Sequence, residues 1–87
     1  MSKYLHYDFF LESSDVVEIE LSKQANVRLM DDHNYSNYRH GRKYQFFGGL
    51  AQRSPVRVSP PHDGHWNLVI DLQGFVGTVN ASVRVIR

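Results

Sequence analysis

The sequence predicts an all-β fold: a compact β-sandwich or small barrel of about seven short antiparallel strands. Three observations carry this. Apolar and polar residues alternate with period two along most of the chain, turn-forming residues separate the alternating runs, and no window holds a helical period over ten residues. In Val16-Val17-Glu18-Ile19-Glu20-Leu21 the odd positions are apolar and Glu18 and Glu20 point the other way. Ala25-Asn26-Val27-Arg28-Leu29 alternates as cleanly, and His65 to Asp71 places Trp66, Leu68 and Ile70 on one face. From Thr78 to Ile86, Val79, Ala81, Val83 and Val85 share a face opposite Asn80, Ser82 and Arg84. Tyr4 to Leu11, Lys43 to Phe47 and Val56 to Ser59 are the remaining strands, the last stopped by Pro60-Pro61. Little or no α-helix is expected.

The turns follow from residue type. Glu12 to Asp15 separates the first two strands, and Leu21-Ser22-Lys23-Gln24 reads as a tight hairpin link. His62 to His65 contains an Asp-Gly signal, and Gln73 to Gly77 reads as a further hairpin.

With 87 residues the chain has room for one domain, residues 1–87. Ten Lys and Arg balance nine Asp and Glu to a net charge of +1, too weak a field to hold nucleic acid or an anionic membrane. Cysteine is absent, which removes disulfides, thiolate nucleophiles and Cys-based zinc sites and points to the cytoplasm. No signal peptide or membrane span is visible.

The segment from Asp31 to Gly49 stands out. Up to Gly41 it is too polar for a core strand and too long for an ordinary hairpin connection, and long ordered loops of compact domains are often functional. Asn34 and Asn37 suit turns, while Tyr35, Tyr38, Tyr44, Arg39 and Arg42 offer flat rings and forked donors to a sugar, a base or an anion. Two readings stand together. The tyrosines pack as a lid over the core with Arg39 and Arg42 paired to Asp31, Asp32 or Glu20, or these side chains contact a ligand directly.

Phe46-Phe47-Gly48-Gly49 follows. Successive Phe residues on a strand face opposite ways, so one lies outside the core, and the paired glycines read as a bulge or bend. Arg39, Arg42, Lys43, Arg53 and Arg57 cluster in sequence, while most acids precede residue 33. The five histidines have no metal-ligand spacing, and no serine sits in a nucleophile context. No catalytic residue, metal site or cofactor is therefore assigned. The candidate ligand-binding set is Asn34, Tyr35, Tyr38, Arg39, Arg42, Tyr44, Arg53 and His65.

Several stretches together resemble a known family: Gln24-Ala25-Asn26-Val27-Arg28-Leu29-Met30, Asn34-Tyr35-Ser36-Asn37-Tyr38, Ser54-Pro55-Val56-Arg57, Gly64-His65-Trp66 and the ending Ala81 to Ile86. The chain is similar over essentially its whole length to the uncharacterised bacterial family catalogued as domain of unknown function 1883. The resemblance implies a small β-rich bacterial domain, found alone or joined to a TIR-type signalling domain, with no activity attached. This chain looks like the stand-alone form. Its Glu12-Ser13-Ser14-Asp15 turn departs from the Gly-Asp expected there.

The leading expectation is a non-enzymatic binding or sensing module whose Tyr/Arg loop contacts a small ligand or a protein partner. The second is a self-associating β-domain that buries Phe46 or Phe47 in a homodimer. A third is a small His-dependent hydrolase using His33, His40, His62 and His65.

Overall fold

The computed structural model describes residues 4–72 and 77–87. Along the chain run β1 (Tyr4–Leu11), β2 (Val16–Leu21), β3 (Ala25–Asp31), α1 (Asp32–Arg39), β4 (Phe47–Ala51), β5 (Val56–Val58), β6 (Gly64–Asp71) and β7 (Ala81–Ile86). The strands form two antiparallel sheets, one in the order β1-β6-β3-β4 and one in the order β5-β2-β7. The sheets are separate, so the fold is a sandwich and not a closed barrel. Among the described residues no helix is long and apolar enough to cross a membrane.

The alternation places the core. Register sets Val27 beside Ile70 and Leu29 beside Leu68, so the odd residues of β3 and the even residues of β6 share the inner face of the larger sheet. From the smaller sheet Val17 and Ile19 meet them, flanked by Val56, Val58, Val83 and Val85. Val17, Ile19, Val27, Leu29, Leu68 and Ile70 are fully buried, each such side chain being worth about 1.5–3 kcal/mol. Trp66 closes one end of this layer, with its indole N–H donating to the His62 carbonyl at 3.1 Å.

Several sequence expectations need correction. The Leu21–Gln24 link is not a hairpin, because β2 and β3 lie in different sheets. Instead of closing onto Ala25, Ser22 reaches the start of β7: its N–H donates to the Asn80 carbonyl and its hydroxyl accepts from the Asn80 N–H, both at 2.9 Å. The expected hairpin turn at Gln73 to Gly77 lies mostly outside the described residues, and the strands flanking it also belong to different sheets. The expected strand at Lys43–Phe47 is displaced to Phe47–Ala51 and runs through both glycines.

Gly48 and Gly49 pair in unbroken register with Arg28 and Val27, so no bulge forms. Gly48 is required for close approach. Its φ is +124°, and a Cβ there would lie 2.3 Å from the Val27 carbonyl oxygen. Phe46 and Phe47 both stay substantially exposed, at 38% and 48%. Phe47 touches the Trp66 ring edge at 6.1 Å from the inner-face row, while Phe46 lies by the Arg28 guanidinium on the other side.

Glu18 was expected on a solvated face and is instead buried. It stands directly opposite Arg57 and Arg84 on the two neighbouring strands, accepting from their Nε atoms at 2.9 and 2.7 Å. Those bonds, Arg84 first, hold its carboxyl below the usual range.

Candidate functional site

The segment after β3 is helical, which corrects the expectation of a loop. Asp31 caps α1 by accepting the Asn34 N–H at 2.9 Å, and Asp32 adds a negative charge in the first turn. At the other end Arg39 lies in the last turn, His40 Nδ1 bonds the Ser36 carbonyl at 2.7 Å, and Gly41 at φ +69° turns the chain out. The Arg42 N–H then donates to the Asn37 carbonyl at 2.8 Å. No residue of α1 is fully buried, so side chains reaching down from it must hold it in place.

They grip the outer face of the larger sheet. There Arg28, Asn67, Val69, Met30 and Asp71 are all buried, which no outward-facing row of an uncovered sheet would show. The Tyr38 hydroxyl donates to Asp71 Oδ2 at 2.6 Å. The same carboxylate forms an ion pair with Arg28 and accepts from Asn26 Nδ2 at 3.0 Å. Burial, reinforced by the Asp71 charge, pushes the Tyr38 phenol well above its ordinary range.

Aromatic contacts complete the seat. The Tyr4 ring meets Tyr38 edge-on at 5.2 Å, and Tyr44 meets Tyr38 from another side at 5.1 Å. Tyr35 stacks on His6 at 4.2 Å and shares a hydroxyl contact of 3.2 Å with Tyr4. Burial and the Tyr4 hydroxyl push its phenol up to about 12.

A second network fixes the start of α1. His65 lies between two carboxylates, Nδ1 at 2.7 Å from Asp32 and Nε2 at 2.9 Å from Asp8. Both are acceptors, so the ring holds both bonds only with a proton on each nitrogen, as imidazolium. Asp8 and Asp32 accordingly hold its pKa above the ordinary value. Asn67 Nδ2 donates to Asp32 at 2.8 Å, and that bond, followed by His65, lowers the Asp32 pKa. With its amide nitrogen so used, Asn67 Oδ1 accepts from His6 Nε2 at 2.9 Å.

The linkage gives a pH prediction. His65 has a raised folded-state pKa, so its stabilisation is complete below about pH 6.5, the unfolded value, and is lost as pH rises through the folded value. The Asp32 contribution has the opposite sign, being present above the ordinary carboxylate range and lost on acidification. Urea midpoints of the wild type are therefore expected to fall between about pH 6 and pH 9. His65→Asn should flatten that limb, and an equal fall in both proteins would refute the assignment.

The structure divides the candidate residues. Tyr35, Tyr38 and Tyr44 anchor α1 and its exit segment. Asn34 is structural too: its Oδ1 accepts the Gln45 N–H at 2.9 Å, fixing the path of that segment. His65 tethers the helix N-terminus. Arg39 and Arg42 are exposed, and no carboxylate pairs with either among the described residues, contrary to the expected pairing with Asp31, Asp32 or Glu20. The Arg39 guanidinium sits 5.8 Å from the Tyr35 ring centre. Arg53 lies in the crossing from β4 to β5, beside Ser54, whose hydroxyl accepts from the Leu21 N–H at 2.8 Å, and among the described residues no bond or ring contact joins Arg53 to the helix cluster.

Sequence reasoning missed Asp71, Arg28, Asn67, Tyr4 and His6, and named Asp32 only as a partner for Arg39 or Arg42. The strand residues gave no signal but position: polar residues alternating on β1, β3 and β6 read as solvent-facing until a covering element is known. Apart from this region, Phe10, Leu11, Glu12, Asp15, Gly64 and Arg87 line an open cleft of about 290 Å³.

The contrast among cations is the main electrostatic feature. Arg28, Arg57, Arg84 and Arg87 each meet a carboxylate of the chain. Arg39, Arg42 and Lys43, close in sequence at the end of α1 and just beyond it, are exposed, as is Arg53 between β4 and β5, and none of the four meets one among the described residues. Comparison with known proteins adds one finding. The family model described as Domain of unknown function (DUF1883) matches residues 2–87. No curated protein and no solved structure matches the chain.

Proposed function

The chain belongs to this family of unknown function, and from that premise we propose that it is a non-catalytic recognition module. In this reading Arg39, Arg42 and Lys43, carried by α1 and its exit segment, dock an acidic surface of a partner protein. The observation that carries it is the grouping of three exposed, carboxylate-free cations within five residues of chain, where four arginines elsewhere each have an acidic partner. Helix-dipole stabilisation explains one cation in the last turn of α1 but not two more beyond it. The reactive-looking groups beneath the helix, Tyr38, Asp71 and His65, are engaged in holding it. Forked guanidinium donors on an exposed surface suit carboxylates of a protein face, whereas small molecules favour enclosed apolar pockets.

A fluorescent Asp/Glu-rich peptide serves as the probe, with inorganic phosphate as the small-anion comparison. The peptide is expected to bind with an affinity that falls steeply with salt, and Arg39→Ala with Arg42→Ala is expected to weaken it by at least about tenfold. Arg39 supports α1 only through its place in the last turn and its contact with the Tyr35 ring, each worth at most about 1 kcal/mol, so the unfolding midpoint should move little. Equal affinity of wild type and double variant would exclude this surface, and competition by millimolar phosphate would favour a small anion instead.

A further inference from the structure

Each sheet has two edges, and an open edge offers a row of unpaired N–H and C=O groups to another strand. Among the described residues, three of the four edge strands are guarded. β1 carries His6 and Asp8, β7 carries Arg84 with Arg87 just beyond, and β5 is three residues long between Pro55 and Pro60. Charge, proline and shortness are the usual means of preventing edge pairing. The fourth edge, β4, has none of the first two: from Tyr44 to Gln52 there is no charged residue and no proline. It also displays Phe47 and Leu50, 48% and 47% exposed.

We propose that β4 pairs antiparallel with β4 of a second copy, joining the two larger sheets into one. The occupant is a second copy because the strand is complementary to itself under a two-fold axis through Gly49. In that register Gly49 lies opposite its own copy, Leu50 opposite Gly48 and Phe47 opposite Ala51, so each large side chain meets a small one. Residues directly opposite share a face, and the intrachain register already places Phe47 and Ala51 on the inner face and Leu50 on the outer. A Cβ at Gly49 would meet no atom within 4 Å, so no other part of the described chain crowds the central residue of the contact. The absence of charge removes the like-charge repulsion that a two-fold axis would double.

The test is the mass of the full chain by light scattering from about 10 μM to about 1 mM. Wild type is expected to move from the 10.1 kDa monomer to a dimer across this range. Leu50→Lys sets two like charges beside the two-fold axis and is expected to raise the dimer Kd by at least about tenfold, whereas Ser82→Ala on β7 should leave it unchanged. Hydrogen exchange of the wild type supplies an independent reading, since the β4 amides should slow as concentration rises. A monomer at every concentration would overturn the proposal and leave the edge for an extended segment of another protein. A dimer with the same Kd in Leu50→Lys would overturn it equally.

Discussion

Asp71→Ala is expected to lower the free energy of unfolding by about 3–5 kcal/mol, the largest effect of any single polar substitution in this chain. The carboxylate is 3% exposed and receives the Arg28 guanidinium, the Tyr38 hydroxyl and the Asn26 amide. Removing it takes from the buried Arg28, itself 8% exposed, the carboxylate it pairs with. Domains of 87 residues typically hold roughly 4–13 kcal/mol in all, so the variant would stand near the edge of folding. Tyr38→Phe offers the graded comparison. It deletes one hydrogen bond to a charged acceptor and keeps the ring in place, for a cost of about 1.5–3 kcal/mol. Urea denaturation followed by circular dichroism measures both, and a loss below about 1 kcal/mol for Asp71→Ala would show that the network does not hold the outer face together.

Gly48→Ala is expected to cost about 2–3 kcal/mol and to act locally. At φ +124° an L side chain is strained, and the new methyl would meet the Val27 carbonyl oxygen at 2.3 Å, a rigid backbone atom in the middle of β3. The cheapest escape is for β4 to draw away from β3. Hydrogen exchange should therefore show β4 amides losing protection while β1 and β6 keep theirs. Protection unchanged in β4 would contradict the close approach. The same glycine explains why β4 was misplaced in the sequence reading: glycine argues against a strand interior, and only the neighbouring carbonyl shows why it is required.

The rest of the fold was legible from the apolar row that meets the core. β2, β3, β6 and β7 each carry such a row on alternate residues, and those strands stand where the pattern put them, with β7 starting at Ala81 instead of Thr78. α1 was not legible for a physical reason. It is eight residues long with none fully buried, so it has no apolar stripe and would not persist alone in water. Its boundaries were nevertheless written in the sequence, as an Asp31 cap, an acidic first turn, a basic last turn and Gly41 at the exit. Asp71, Arg28 and Asn67 were read as surface residues because a strand pattern separates two faces and cannot say which polar face a helix will cover. For Tyr35 and Tyr38 the sequence left a lid over the core and direct ligand contact both open; they lie instead against the outer face of the larger sheet, and their partners Tyr4, His6 and Asp71 were not identified.

In the proposed function α1 and its exit segment present Arg39, Arg42 and Lys43 to an acidic surface while the tyrosines hold the helix to the sheet. An amide ¹H–¹⁵N titration of the full chain with the Asp/Glu-rich peptide tests this most directly. Progressive shifts are expected, confined to the end of α1 and the exit segment through Tyr44, with β6 amides around Asp71 unmoved. Shifts centred on the Phe10–Arg87 cleft, or no shifts at low salt, would contradict it.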